Sequence, residues 1–173
     1  MRADYVDREA LGHVLAAMMP PNALAIEVAA YTGLRIDDVL HLRTEQLARR
    51  MIIRERKTGK RRRISVSQGL LDRMIAQAGR IWVWEGRNDY RRPRTRQAVY
   101  RDIRRAAAAF RLRGHISPHS ARKLYAVEQL ARAGGDLDTV RRKLGHSDPA
   151  ITAIYALADQ ITAQRLARSG RKS

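Results

Sequence analysis

A mainly α-helical domain carrying one small antiparallel β-sheet, an α+β fold, is predicted by three observations. Apolar residues recur at three- and four-residue spacing over most of the chain. β-branched strand formers are concentrated between residues 51 and 67, in two runs split by Thr58-Gly59-Lys60. Helix-start and helix-stop residues punctuate the rest at short intervals.

Taken in order, Asp7 can cap a first helix reaching about Met19. Leu11, Val14, Leu15 and Met18 form its apolar stripe, and Pro20-Pro21 end it. Asn22 is the expected cap of a second helix whose Leu24, Ile26, Val28 and Ala29 are apolar nearly all round, as in a buried helix. Gly33 suits its C-terminal turn, and Ile36-Asp37-Asp38-Val39-Leu40 restarts a helix just after Arg35. Met51 to Arg56 and Arg61 to Ser67 read as a hairpin, and Gly69 to Ala78 as a helix. Ile81 to Trp84 reads as either a third strand or a buried loop. Asn88 to Arg94 is a polar, basic loop, suited to mobility or to DNA contact. Thr95 caps a helix from Arg96 to Phe110. Ser117 and Pro118 open another that ends near Gly134-Gly135. Asp136 or Asp138 starts a short helix to Leu144. Further helices are expected from Ser147 or Asp148 through Tyr155, and from Asp159 into a basic tail. With no repeat, linker or low-complexity tract, the expectation is one domain over residues 1–173.

Charge narrows the function. Lys and Arg number 35 against 17 Asp and Glu, for a formal charge of +18. Such an excess repels itself in the compact state unless a polyanion is the partner. Double-stranded DNA fits better than an anionic membrane, because the basic residues are not gathered on one amphipathic helix and no segment is apolar enough to span a bilayer. They come in bursts, at Arg54–Arg63, Arg91–Arg96, Arg101–Arg105, Arg111–Arg113 and Arg141–Lys143. The first two nominate Arg54, Lys60, Arg61, Arg92, Arg94 and Arg96 as DNA contacts. Any single burst is equally consistent with a solvated face. No zinc finger, RRM signature or leucine zipper is present. The lack of cysteine removes disulfides, thiolate zinc sites and thiol nucleophiles, and fits a reducing cytoplasm. The first residues, MRADYVDREALGH, contain no apolar signal core.

One stretch concentrates acid-base groups. His119 and Arg122 lie one helical turn apart, His146 follows Leu144-Gly145, and Tyr155 stands on the next helical segment. Phosphodiester transfer to a protein hydroxyl needs a nucleophile, positive donors to the non-bridging oxygens, and an acid for the leaving oxygen. Upstream, Arg35 just past a helix end, Asp38 three residues on and Lys57 at the hairpin tip could complete such a set. Spacing alone also allows plainer roles: a core tyrosine, ion-paired arginines, a structural histidine and one more surface lysine.

TGLRIDDVLHL, ERKTGKRRRISV and SPHSARKLYAVEQLARAGGDLDTVRRKLGHSDPAITAIYA resemble, in order and spacing, the catalytic domain of tyrosine recombinases, the phage integrase family. The resemblance covers nearly the whole chain. It implies that Arg35 and Arg122 are catalytic arginines, and that His119 and His146 act at the scissile phosphate. It makes Lys57 the general acid, Asp38 a supporting acidic residue and Tyr155 the nucleophile. It further implies a 3′-phosphotyrosyl intermediate, no metal or other cofactor, a tetramer on two paired duplexes, and a bacterial or phage origin in the cytoplasm. Relaxation of supercoils in the manner of type IB topoisomerases, or a non-catalytic DNA-binding module, are the alternatives. Lys123 stands where many members have histidine, and Ala121 replaces a frequent leucine. The helical core-binding domain that usually precedes the catalytic domain is expected to be absent from this chain.

Overall fold

The computed structural model describes residues 3–112 and 114–144. Among them the elements run α1 (Arg8–Ala17), α2 (Pro20–Thr32), α3 (Ile36–Leu40), a 3-10 turn (Thr44–Gln46), β1 (Arg50–Arg54), β2 (Arg61–Ser65), α4 (Gln68–Gln77), α5 (Arg96–Ala109), α6 (Pro118–Arg132) and α7 (Leu137–Leu144). The chain is thus mainly helical with a two-stranded antiparallel sheet, as expected. It divides into two compact units, Met1–Leu124 and Tyr125–Ser173.

In the first unit α2 is the central rod. It is apolar on every side, with Leu24, Ala25, Ile26, Val28, Ala29 and Ala30 all buried, and it packs against α1, α3, α4 and α5. Its start corrects the sequence expectation. Asn22 is not the cap; the helix begins at Pro20, and the two prolines occupy first-turn positions whose N–H groups would have no helical partner anyway. The capping acceptor is supplied from α5. One carboxylate oxygen of buried Asp102 accepts from the Met19 amide at 2.9 Å and from the Asn22 side-chain amide at 2.7 Å. Its other oxygen accepts from Arg105 Nη2 at 2.7 Å.

The Asp7 and Thr95 caps are as expected, and Ser67 adds one that the sequence reading did not name. Asp7 accepts from the Ala10 amide at 2.8 Å, Ser67 from Leu70 at 3.3 Å, and Thr95 from Ala98 at 3.2 Å. At the start of α6 the Ser117 amide donates to Ser120 Oγ at 3.2 Å, and the Ser120 amide returns a bond to the Ser117 carbonyl at 2.8 Å. Ile81 to Trp84 is a buried loop and not a strand. It makes a single bridge, Arg43 to Trp82, with Val83 and Trp84 fully enclosed. The indole N–H of Trp84 donates to the Pro21 carbonyl at 2.8 Å.

In the hairpin, Met51 pairs with Ile64 and Ile53 with Arg62 on the inner face, while Arg54 lies opposite Arg61 on the outer one. In the second unit, Ala126, Val140 and Leu144 form a small core against Tyr125, Leu130 and Leu137. Asp136, rather than Asp138, opens α7, accepting from the amides of Asp138 at 2.9 Å and Thr139 at 3.2 Å. The helices expected beyond Leu144 lie outside the described residues.

The Asp102 network generates a stability prediction. Burial opposes ionisation of Asp102, but hydrogen bonds from Asn22, Arg105 and Met19 and the Arg105 charge outweigh it, so its carboxyl titrates below the ordinary value. A depressed pKa contributes stability that is whole above the unfolded-chain value and is lost as pH falls through the folded one. Asp102→Asn, which turns an amide against existing donors, is expected to cost about 2–4 kcal/mol in urea unfolding at neutral pH. The gap to the parent should narrow as the pH is taken below the ordinary carboxylate range.

Candidate active site

The end of α2 organises the site. Gly33 adopts φ 66°, a left-handed conformation that favours glycine, and turns the chain out of the helix with its amide on the Ala29 carbonyl at 2.9 Å. The last carbonyls of a helix lack intrahelical donors and carry partial negative charge, so they attract cations. Two arginines answer. Arg62, turned inward by the strand register, donates from Nη2 to the Thr32 carbonyl at 2.7 Å and from Nη1 to the Gly33 carbonyl at 3.0 Å. Arg122, from α6, also donates to the Gly33 carbonyl, and only 2% of it is exposed. Arg35, two residues past Gly33, stands at the N-cap of α3. Residues far apart in sequence therefore meet at one helix end.

A carboxylate holds this group. Glu55, immediately after β1, has a side chain 9% exposed, and its Oε2 accepts from Arg35 Nη1 at 3.1 Å and from the Thr58 hydroxyl at 2.8 Å. Arg62 Nη1 lies 3.7 Å from its other oxygen. Burial alone would raise the Glu55 pKa. The Thr58 hydrogen bond and the charges of Arg35, Arg62 and Arg122 more than offset this, and hold it below the ordinary value. Glu55 is therefore an anion at neutral pH, ringed by three guanidinium groups.

Asp38 has the opposite balance. Its Oδ1 accepts from the Arg56 amide at 2.8 Å, tying α3 to the residue before Lys57, while Oδ2 is buried without a hydrogen-bond partner among the described residues. Desolvation raises its pKa; the Arg56 amide and Arg35 pull it down, Glu55 and Asp37 push it up, and the net shift is upward.

Lys57 is exposed in the hairpin turn, where Gly59 takes φ 68° and donates to the Glu55 carbonyl at 2.7 Å. His119, in the first turn of α6, is exposed, whereas Arg122 one turn on is buried. The long arginine reaches inward to Gly33 while the histidine stays at the rim. Lys123 is 7% exposed and donates to the Ala3 carbonyl, so this departure from the family pattern serves the fold. His146 and Tyr155 lie outside the described residues.

The expected DNA contacts separate into two groups. Arg54, Lys60, Arg61, Arg92 and Arg96 are exposed. Arg50, Arg54, Arg61 and Arg63 share the outer face of the hairpin with Ile52. Like charges directly opposite on a sheet repel, so a face built this way is suited to a polyanion. Arg94 is placed otherwise than expected. It turns inward, Nη1 donates to Asn22 Oδ1 at 3.2 Å, and its Nε is enclosed. Burial first, then the nearby Arg87 charge, lowers its pKa against the pull of Asp102. Its loop closes on itself through Gly86, whose amide donates to the Arg92 carbonyl at 2.7 Å. A side chain at Gly86 would meet the Asp89 carbonyl at 2.9 Å.

Sequence reasoning missed three features. Glu55 is one, although it is the only acid between Arg54 and Arg63. Arg62 is the second, and strand alternation would have placed it inward. The third is an arginine–aromatic cluster, with Arg43 over Trp82 at 5.6 Å and Arg80 over Tyr90 at 5.0 Å.

Because folding raises the Asp38 pKa, the native state binds this proton more tightly than the unfolded chain, and the group's contribution to stability falls as pH rises through its titration. Asp38→Asn retains an acceptor for the Arg56 amide and removes the buried charge. Its stability relative to the parent is expected to climb as pH rises above the ordinary carboxylate range in paired thermal melts. A flat difference would show that its surroundings do not raise the Asp38 pKa.

Residues 6–160 match the model of the Phage integrase family. The tyrosine recombinase XerD of Rhizobium meliloti (strain 1021) is 33% identical over 141 residues, covering 75% of this chain and 45% of that protein. The putative integrase/recombinase y4qK of Sinorhizobium fredii (strain NBRC 101917 / NGR234) is 32% identical over 152 residues, covering 83% and 48%. The chain thus spans about half the length of the curated relatives it matches. Among solved structures, the lambda integrase catalytic core superposes with a TM-score of 0.70 at 20% identity, over 85% of this chain and 94% of that one. The XerH recombinase bound to its difH substrate gives 0.67 at 19%, over 87% and 50%. These likenesses carry the fold. The match over residues 6–160, with the 33% identity to a tyrosine recombinase, establishes that the chain belongs to the phage integrase family.

Proposed function

We propose that the protein is the catalytic domain of a tyrosine-type site-specific DNA recombinase, cutting and rejoining double-stranded DNA through a covalent phosphotyrosine. The observation that carries this reading is the gathering of Arg35 and Arg122 at the end of α2, around one helix turn and one carboxylate. Phosphoryl transfer to a hydroxyl calls for such a cluster of fixed cations, because negative charge builds on the non-bridging oxygens in the transition state.

In this mechanism the Tyr155 hydroxyl oxygen attacks the scissile phosphorus, its proton passing to solvent, and a 3′-phosphotyrosyl bond forms as the bond to the 5′ oxygen breaks. Lys57, exposed at the hairpin tip, delivers a proton to that leaving oxygen. Arg35, Arg122, His119 and His146 donate to the non-bridging oxygens. A 5′-hydroxyl from the partner strand then attacks the phosphotyrosine and regenerates the free tyrosine. One phosphoester replaces another at each step, so no nucleotide is consumed. The exposed arginines of the hairpin and of the loop before α5 hold the duplex backbone. Solved neighbours include a lambda integrase dimer bound to a COC′ core site, which supports DNA as the partner and self-association of this chain. Exchange of strands between two duplexes calls for four protomers. No helix among the described residues is long and apolar enough to cross a membrane.

A nicked suicide duplex, with its site taken from DNA flanking the gene, tests the reading. The expected result is a protein–DNA adduct on a denaturing gel, undiminished by EDTA and absent in Tyr155→Phe. Arg35→Ala or Arg122→Ala should slow adduct formation by roughly a hundredfold to a thousandfold. No adduct, or one that survives Tyr155→Phe, would overturn the assignment. Nicking and religation with no strand exchange between two sites would point to topoisomerase-like chemistry.

A further inference from the structure

Glu55 presents a problem for a phosphate-binding site. A buried anion stands against Arg35, the residue assigned to bind a phosphate, and within the electrostatic reach of Arg122. Coulomb repulsion between this carboxylate and an incoming phosphate must weaken ground-state binding. Charge neutralisation alone could be met by solvent ions at this strongly basic surface. The contact geometry indicates more than neutralisation. The Oε2 atom that accepts from Arg35 also accepts from the Thr58 hydroxyl, and Thr58 directly follows Lys57. The Glu55 amide donates to the Lys60 carbonyl at 2.9 Å and its own carbonyl accepts from Gly59, closing the turn on both sides of the lysine. One side chain therefore fastens the lysine turn to the arginine.

We infer that Glu55 is a resident counter-ion and positioning residue: it holds Arg35 and the Lys57 turn in one arrangement before DNA binds, at the expense of phosphate affinity. The inference rests on the recombinase reading for what Arg35 and Lys57 do. Glu55 does not touch the reacting atoms. It acts through the two groups it joins, since a general acid and a phosphate donor must reach the same phosphodiester in fixed relation.

The counter-ion predicts opposite effects on binding and on chemistry. Glu55→Gln is nearly isosteric. It is expected to bind an arbitrary-sequence duplex of about 30 base pairs roughly threefold to tenfold more tightly at fixed salt, because one negative charge leaves the seat. On the suicide duplex it should form adduct about tenfold to a hundredfold more slowly, because Arg35 and the lysine turn lose their common tether. Glu55→Asp, which keeps the charge and shortens the reach, should restore parental duplex affinity while cleavage stays slow. Thr58→Val, which cuts the tether and leaves the charge, should likewise slow cleavage at unchanged affinity, and carries the test if Glu55→Gln does not fold. A merely structural glutamate would lower affinity and rate together as the fold loosens. Parallel losses, or no change in either quantity, in a variant with a parental melting curve would overturn the inference. If the parent chain itself makes no adduct, the recombinase reading fails, and the duplex affinities of Glu55→Gln and Glu55→Asp still decide whether the counter-ion is there.

Discussion

The bond from Arg122 to the Gly33 carbonyl is the constraint on which the site depends. It joins positions 89 apart in sequence and brings α6 to the end of α2. A helix terminus is a favourable place for this, because its last carbonyls are both unsatisfied and partially negative. Gly33 makes the junction workable by turning left-handed, which sets its carbonyl within reach of Arg62 as well and places Arg35 two residues later. Burying a guanidinium carries a large desolvation penalty unless it is bonded, and here the bond partner is the backbone itself. Backbone fixed by a central apolar helix is a stiffer reference than any side chain, so the position of Arg122 inherits the rigidity of the core.

Three arginines near one helix end would repel one another without compensation. Glu55 offsets part of that repulsion in the interior, whereas the exterior goes without such an offset. On the outer face of the hairpin no acidic side chain among the described residues is paired with Arg54 or Arg61, which stand opposite one another. The contrast matches the two tasks. On the proposed reading, cations that take part in chemistry have to be held still, whereas cations that follow a DNA backbone can remain solvated and respond to salt.

The same division runs through the arginines of the second basic burst. Arg92 and Arg96 face solvent, while Arg94 enters the network of Asn22 and Asp102 that also starts α2. That network fixes the beginning of the rod whose end carries the site. The two ends of α2 are therefore anchored in the same manner, by charged side chains from distant elements bonded to groups the helix leaves unpaired.

Much of this was legible in the linear chain. Helical periodicity, the caps at Asp7 and Thr95, the proline at the start of α6 and the hairpin turn act within four residues of one another, and so leave a local signature. The fold class followed from them. The candidate residues Arg35, Lys57, His119 and Arg122 were legible through their order and types. Asn22 looks locally like a cap and Arg94 like a surface cation; Asp102, some eighty positions from Asn22, draws the first into a buried hydrogen bond and faces the charge of the second. Glu55 and Arg62 looked like members of a charged run, and only the strand register and the end of α2 make them structural partners of the site. Elements, charge and the available chemistry are written in the linear chain. Tertiary structure alone decided which charges are buried, which are paired and which face outward, because those choices depend on desolvation and on contacts between residues that are distant along the chain.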